Sequence, residues 1–297
     1  MRNIDDNKNK DSSWDDTEYE HDIVIIKDYV VAKRLIYLPT VYSPEKDHNR
    51  KEKVYTPKGS VNDIKLENNL IRARGKILEY ALCNKWEWFF TATIDGSKYD
   101  RTDLDKYRKD FTRFLQKFGR EHNLNIKYLI VPELHADRKN WHAHGFIMGL
   151  PQEYLKEFKM KKKLPLYIRK KLENNEKVYE FKEYTDKFGF NDFEKIKDLR
   201  RSATYITKYL TKDLGRAVSE LGMHTYFSSK GLKKAEVIDR GLLNRDIPLE
   251  FDFENEYVGI KWFDKDDEPE RYIYQGNTFD EWIEIDWSPF DDEDKSA

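Results

Sequence analysis

The sequence contains one cysteine, Cys83, and no run of eighteen apolar residues. A single thiol excludes a disulfide framework and a cysteine-rich zinc module. The missing apolar run excludes a predicted transmembrane helix, and the first residues lack the apolar core of a signal peptide. No Gly-x4-Gly-Lys-Ser/Thr motif is present, so no nucleotide-driven motor is predicted. With 37% charged residues and a mean hydropathy of −0.91, the chain is expected to be soluble and cytoplasmic.

The formal net charge of −2 hides a segregation of charge along the chain. Residues 1–20 hold 7 acidic and 3 basic side chains, and residues 247–297 hold 17 acidic and 4 basic ones, which leaves an excess of 15 positive charges between them. A basic body suits a polyanionic partner, because clustered Lys and Arg release counterions from a phosphate backbone. A lysine-rich surface that is merely solvated would give the same count.

The sequence divides into four predicted parts. They are a disordered acidic N-terminus (1–20), a strand and loop extension (21–60), a main domain (61–246) and an acidic, β-rich C-terminal extension (247–297).

Hydrophobic periodicity predicts the elements of the main domain. Helices are predicted over Asp63–Cys83, Thr102–Glu121 and Asp192–Leu214. Strands are predicted over Trp86–Ile94, Lys127–Glu133 and Trp141–Leu150, with a shorter one over Val178–Tyr184. Because neighbouring strands are joined by short connections, we expect an α+β fold with a central antiparallel sheet and helices packed on one face.

His142 and His144 are one residue apart on a predicted strand, so their imidazoles point to the same side. Glu133 ends the preceding strand and can add a carboxylate, while His135 in the linking loop is a rival third ligand. Two nitrogens and one oxygen leave coordination positions open, and this mixed set suits Mg²⁺ or Mn²⁺ as a Lewis acid. The pair also fits two ordinary histidines on a half-buried strand.

Tyr205 and Tyr209 are four residues apart on a predicted helix and share a face beside its apolar stripe. Lys208 and Lys212 follow each tyrosine by three. A nearby ammonium favours the phenolate and balances charge on a phosphoryl transition state. Taken alone, the same residues fit tyrosines packed at the edge of a core and lysines in water.

These motifs together resemble the HUH endonucleases, specifically the rolling-circle replication initiators of phages and plasmids. Phe89 to Thr93 resembles their first motif, His142-Ala143-His144 the metal-binding second, and Tyr205 to Lys212 the third. The order of the motifs and the doubled tyrosine resemble the two-tyrosine branch of single-stranded DNA phages. Phe227 to Leu232 is similar to a segment that follows the third motif there. The resemblance covers about residues 68–235 and implies a sheet core like that of RNA-recognition domains.

The resemblance implies a role for each matching residue. Glu133, His142 and His144 would hold the metal, and Tyr205 or Tyr209 would attack a phosphate of single-stranded origin DNA, with help from Lys208 and Lys212. The product would be a 5′-phosphotyrosyl link and a free 3′-OH. Contacts to DNA are expected from the following residues: Thr91, Thr93, Lys159 to Lys171, Arg200, Arg201 and Lys230.

The expected setting is the cytoplasm of a bacterial host, with a host helicase and polymerase as partners and no membrane. Two alternatives remain from the sequence. One is a tyrosine transposase with the same chemistry, although such enzymes are usually shorter and carry one tyrosine. The other is a non-catalytic nucleic-acid-binding protein that uses the basic body alone.

Overall fold

The computed structural model describes residues 19–42, 63–255 and 258–274. In chain order its strands are β1 (Tyr19–Asp28), β2 (Ala32–Tyr42), β3 (Trp88–Thr93), β4 (Lys127–Leu134), β5 (Trp141–Met148), β6 (Lys156–Glu157), β7 (Tyr179–Glu180), β8 (Asn191–Lys195), β9 (Phe227–Ser228), β10 (Glu236–Leu242), β11 (Phe253–Glu254) and β12 (Gly259–Asp264). Its α-helices are α1 (Asp63–Cys83), α2 (Leu104–Glu121), α3 (Leu166–Glu173), α4 (Lys182–Lys187), α5 (Leu199–Ile206) and α6 (Lys212–Glu220). Short 3-10 turns cover Gln152–Tyr154, Thr207–Tyr209 and Pro269–Tyr272.

The chain divides into two compact units. The smaller one is built from residues 1–27, 33–50 and 237–297, and the larger one from residues 28–32 and 51–236. The sequence analysis treated 21–60 and 247–297 as separate extensions, whereas β1, β2, β11 and β12 lie in one sheet. The predicted acidic N-terminus and the residues after 274 lie outside the described residues.

The smaller unit is a five-stranded sheet in the order β10-β1-β2-β12-β11. Its core combines β-branched and aromatic side chains from both ends of the sequence, among them Val24, Leu35 and Phe263. At its edge Arg245 donates two hydrogen bonds to the Asp22 carboxylate, at 2.6 and 2.7 Å. This ion pair lowers the pKa of Asp22.

The larger unit contains a seven-stranded sheet in the order β6-β7-β8-β3-β5-β4-β9. Every strand pair in it is antiparallel. The central strands read as aromatic and β-branched runs, which fit a pleated and buried surface. The predicted α+β class with an antiparallel sheet is confirmed.

Helices contact both faces of this sheet. On one face α2 packs through Phe111, whose ring centroid lies 6.0 Å from that of Phe90. The other face carries the two histidines of β5, and we call it the histidine face. There α5 packs through Tyr205, whose ring centroid lies 5.7 Å from that of Phe89. The sequence analysis had expected the helices on one face, because apolar residues on a fully buried strand do not reveal which side each helix covers.

The single helix predicted over Asp192–Leu214 is wrong. Residues 191–195 form β8, and the helical segment that follows is interrupted after Ile206 and resumes at Lys212. The Asp198 carboxylate accepts a hydrogen bond from the Arg201 N–H and begins α5, and the Thr211 hydroxyl accepts one from the Leu214 N–H and begins α6. Such side chains satisfy the free N–H groups of a first turn, so each begins a new helix.

Among the described residues, no helix has the length and apolar character that a bilayer crossing requires. The predicted strand over Val178–Tyr184 shortens to β7, and α4 follows it. Of the predicted helical part between Gln152 and Asn174, α3 is the main piece.

Gly145 on β5 lets three strands approach closely. A Cβ added there would lie 2.4 Å from the Leu129 carbonyl oxygen and 2.7 Å from Phe90 Cε1. We expect Gly145→Ala to lower the free energy of unfolding by about 1–3 kcal/mol, as overpacking does. Gly75 in α1 has no atom within 4 Å of an added Cβ, so Gly75→Ala should raise it by about 0.5–1 kcal/mol. Urea unfolding of the full chain measures both, and a Gly145→Ala variant as stable as the parent contradicts the close packing.

Candidate active site

The register of the central strands sets the floor of the candidate site. His142 on β5 lies opposite Glu133 on β4 and opposite Thr93 on β3. His144 lies opposite Thr91 on β3. Because residues two apart along a strand share a face, these five side chains all belong to the histidine face. The predicted metal ligands and the two predicted threonines are therefore neighbours.

Glu133 is hydrogen-bonded to His144, with 2.8 Å between Oε2 and Nε2. This bond lowers the pKa of Glu133 despite partial burial, so the carboxylate is ionised at neutral pH. The Nε2–H of His144 then donates, and His144 Nδ1 is left buried without a hydrogen-bond partner. An unpartnered imidazole nitrogen in a buried position is uncommon in a structural histidine.

His142 is surrounded by polar neighbours. Its Nδ1 lies 3.3 Å from the Thr93 hydroxyl, and its ring stacks on that of His135 with 5.3 Å between centroids. Burial lowers the pKa of His142, against the opposing charge of Glu133. The imidazole is therefore neutral at pH 7, which is the form that binds metal ions.

The tyrosines lie above this floor. The Tyr209 ring stacks on His144 with 3.8 Å between centroids and 6° between planes. Tyr209 donates a hydrogen bond to the Tyr205 hydroxyl at 2.9 Å. Although Tyr205 is on α5 and Tyr209 in the 3-10 turn, the two hydroxyls meet as the predicted shared face required.

The tyrosine turn is held from behind by α1 and α6. Arg74 on α1 donates a hydrogen bond to the Leu210 carbonyl at 2.8 Å. A Cβ on Gly215 of α6 would lie 2.8 Å from Leu66 Cδ1 of α1, so these helices are in close contact. Packing on α1 therefore fixes the height of the tyrosines over the sheet.

The two lysines of the doubled motif differ in their contacts. Lys208 Nζ lies over the Tyr205 ring, 5.2 Å from its centroid. Lys212 pairs with Glu67 of α1, with 3.6 Å between Nζ and Oε2. Lys208 is therefore beside the tyrosine pair, whereas the contact of Lys212 is with α1.

The surroundings of Tyr209 disfavour its phenolate. Burial raises its pKa well above the ordinary value, and the hydrogen bond to Tyr205 and the charges of Glu133 and Asp192 raise it further. A phenol in this setting becomes a nucleophile only when positive charge enters the site.

The sequence analysis missed Asp192, which lies opposite Thr91 on the side away from His144. It is almost fully buried, and it accepts a hydrogen bond from the Tyr167 hydroxyl at 2.7 Å. On the same strand Glu194 pairs with Lys171, so α3 covers this side of the histidine face. No local signal marked Asp192, because it fell within the predicted helix.

The donors present fit a divalent metal ion in chemical type. An ionised carboxylate, a neutral imidazole and an imidazole nitrogen without a partner lie in adjacent register on one face. As the side chains are placed, Glu133 is turned onto His144, and no three His, Cys, Asp or Glu side chains in the described ranges are gathered around one point.

The residues predicted to contact DNA lie in different places. Thr91 and Thr93 form part of the floor. Arg200 and Arg201 are exposed on the first turn of α5, which covers the histidine face. Lys230 lies beside Lys127, which donates to its carbonyl. Lys127 begins β4, six residues or about 20 Å from Glu133, so the structure does not bring Lys230 to the floor.

Residues 87–214 match the model of a family of replication-associated proteins, described by its member ORF2. The matched segment begins just before β3 and ends in the first turn of α6, so it contains the whole floor and both tyrosines. The comparisons with curated proteins and with solved structures gave no match. The match is consistent with the resemblance to rolling-circle initiators read from the motifs, and the two-tyrosine branch stays a prediction.

The buried Asp192 carboxyl predicts a pH dependence of stability. Burial raises its pKa from 3.8 to about 6, so the folded state holds this proton more tightly than the unfolded chain. The stability that this group contributes is complete below pH 3.8 and is lost as the pH rises to about 6. Asp192→Asn keeps an acceptor for Tyr167 and removes the charge. We expect it to raise the free energy of unfolding by up to about 3 kcal/mol at about pH 7.5 and by little at about pH 4.

Urea unfolding at a series of pH values measures this difference. Glu183→Gln, at an exposed position on α4, is the matched control and should give no such pH-dependent gain. A gain from Asp192→Asn that is the same at both ends of this pH range would contradict the raised pKa.

Proposed function

We propose that this chain initiates rolling-circle replication by nicking and rejoining single-stranded origin DNA through a covalent 5′-phosphotyrosyl intermediate. The observation that carries the proposal is the stacking of Tyr209 on His144, with the Tyr205 hydroxyl 2.9 Å from that of Tyr209. Two nucleophile candidates then lie directly above three metal-ligand candidates. The match of residues 87–214 to a replication-associated family supports the biological setting.

The proposed reaction exchanges one ester for another. A tyrosine oxygen forms a bond to the phosphorus, and the bond from phosphorus to the 3′ oxygen breaks. The tyrosine loses its proton, and the leaving 3′ oxygen gains one. Because the number of phosphoester bonds is unchanged, the energy for rejoining is kept in the phosphotyrosyl link and no ATP is needed.

Glu133, His142 and His144 are the residues that would hold a divalent ion, Mg²⁺ or Mn²⁺. When bound, such an ion supplies Lewis-acid polarisation of a phosphoryl oxygen. Thr93 orients His142 through its hydroxyl, and orientation of this kind maintains the geometry of a ligand. His135, the rival ligand, is stacked on His142 and lies at the edge of the same floor.

The second tyrosine supports a cycle of two cleavages. After one tyrosine is linked to the 5′ phosphate, the other cuts the regenerated origin, and the released 3′-OH attacks the first link and closes the circle. Their hydrogen bond keeps the two oxygens within reach of one phosphate position. Strand separation and synthesis would come from a host helicase and polymerase in the cytoplasm.

A binding protein without catalysis is the second candidate. The observation in its favour is the side-chain arrangement, since Glu133 is hydrogen-bonded to His144 and Tyr209 is held as a phenol. Under this alternative the basic segment from Lys159 to Lys171 and the α5 arginines would bind the strand, and no bond would be broken.

The nucleophile assignment predicts the formation of a covalent adduct. We expect the chain, with Mn²⁺ and a pool of single-stranded oligonucleotides tiled across the DNA element that encodes it, to give a protein–DNA band that survives denaturant. Tyr205→Phe with Tyr209→Phe should reduce this band to background, because both attacking oxygens are gone. Tyr80→Phe on α1 removes one hydroxyl outside the site and should leave the band unchanged. An adduct in the double variant contradicts the assignment, and binding without any adduct supports the non-catalytic alternative.

The metal assignment predicts that EDTA lowers adduct formation by about 100-fold or more, since a Lewis acid contributes several kcal/mol to the transition state. Retention of the strand on the protein should persist. His142→Ala and His144→Ala should have the same effect in Mn²⁺, whereas His224→Ala, at an exposed position, should not. Undiminished adduct formation in EDTA would overturn the metal role of these three residues.

A further inference from the structure

Arg101 lies in the loop between β3 and α2, and its backbone is fixed beside the first metal-ligand candidate. The Trp141 backbone N–H donates a hydrogen bond to the Arg101 carbonyl at 3.0 Å. The Trp141 indole N–H donates to the Thr102 carbonyl at 3.2 Å. Because Trp141 immediately precedes His142 on β5, this loop is attached to the strand at the edge of the floor.

The loop is also held by its own side chains. The Asp95 carboxylate accepts hydrogen bonds from the Ser97 N–H and hydroxyl, and the Asp100 carboxylate accepts the same pair from Thr102. A loop with this many internal bonds keeps its shape, so the Cα of Arg101 is fixed before any ligand arrives.

The Arg101 side chain runs back over the turn that ends β3. A Cβ on Gly96 would lie 3.2 Å from Arg101 Cδ, so the aliphatic stem is in contact with the glycine. Hydrogen bonds from Ser97 lower the pKa of Asp95 and burial lowers that of His142, and the charge of Arg101 adds to both shifts. The guanidinium is therefore near the floor. Arg101 Nε is buried and has no hydrogen-bond partner.

Arg101 also makes no ion pair with a carboxylate in the described part of the chain. Other cations around the site are engaged with protein groups. Arg138 in the β4–β5 loop pairs with Asp213 at 3.1 Å, and Lys98 donates to the Thr185 carbonyl at 2.8 Å. A guanidinium with a buried, unpartnered N–H beside a candidate catalytic floor is left with donors that an anion can use.

We infer that Arg101 binds a phosphodiester of the DNA strand at the His142 edge of the floor. This inference rests on the proposed function, because it assigns a contact within that site. A guanidinium fork matches two phosphate oxygens and remains charged at any working pH. The contact holds the strand in register with the tyrosine pair, which makes Arg101 a positioning residue for the phosphate that is attacked.

The test is a cycle between one residue and one phosphate. The protein is the full chain with Tyr205→Phe and Tyr209→Phe, so the strand stays intact, and the probe is the tightest-binding oligonucleotide of the tiled pool. Single methylphosphonates, which carry no charge, replace each phosphate in turn. We expect one position at which the substitution weakens binding about tenfold with Arg101 present. With Arg101→Gln, unmodified DNA should already bind about tenfold more weakly, and the methylphosphonate at that position should then have no further effect.

Salt dependence provides the second measurement. Loss of one phosphate contact on a single strand should reduce the slope of log K against log salt by about 0.7. Arg101→Lys, which keeps the charge, should retain the slope. Arg113→Gln removes one positive charge from α2, which packs on the opposite face, and should leave both the slope and the affinity unchanged.

The outcomes separate this inference from the proposed function. If methylphosphonates weaken binding equally with and without Arg101 at every position, the inference is overturned, even where the parent chain forms its adduct. If the cycle is found but no adduct forms, the phosphate contact is supported and the nicking chemistry fails. A loss of affinity in Arg101→Gln with an unchanged salt slope would indicate a structural role and overturn the inference.

Discussion

The candidate site depends on the antiparallel register of three central strands. Glu133, His142 and Thr93 form one row across β4, β5 and β3, and His144 and Thr91 belong to the next row. A slip of one residue would turn every one of these side chains to the opposite face. The close approach at Gly145, next to His144 on β5, leaves space for only this pairing. The geometry of the site is therefore a property of the sheet core.

A second constraint fixes the tyrosines above this floor. The helix is interrupted at Thr207, and the 3-10 turn that follows brings the Tyr209 ring flat onto His144. Tyr205, still on α5, packs edge-on against Phe89 of β3. Each tyrosine thus contacts a different strand, yet their hydroxyls are 2.9 Å apart. An uninterrupted helix would preserve the shared face but would not explain two different ring contacts with the sheet.

Local pattern predicted α1 with its bounds and the central strands to within a few residues, because burial there follows one clear period. It failed between Asp192 and Leu214, where apolar spacing continued through β8 and a helix break that depend on Asp198, Thr211 and strand pairing. Within the site, histidine and tyrosine spacing is local and was readable. Asp192 and Arg101 were not, because they reach the floor only through cross-strand register and a hydrogen bond from Trp141.

Charge explains why these two residues matter together. Burial raises the pKa of Tyr209, and the charges of Glu133 and Asp192 raise it further, while an incoming DNA strand adds more negative charge. A phenolate at Tyr209 would therefore face repulsion from three sides. Lys208 over Tyr205 and Arg101 near His142 each supply one positive charge at opposite edges of the floor. Since neither lies between Glu133 and the tyrosine oxygens, a cation on the histidines is the remaining means of making the nucleophile reactive, which links metal binding to the chemistry of the tyrosine pair.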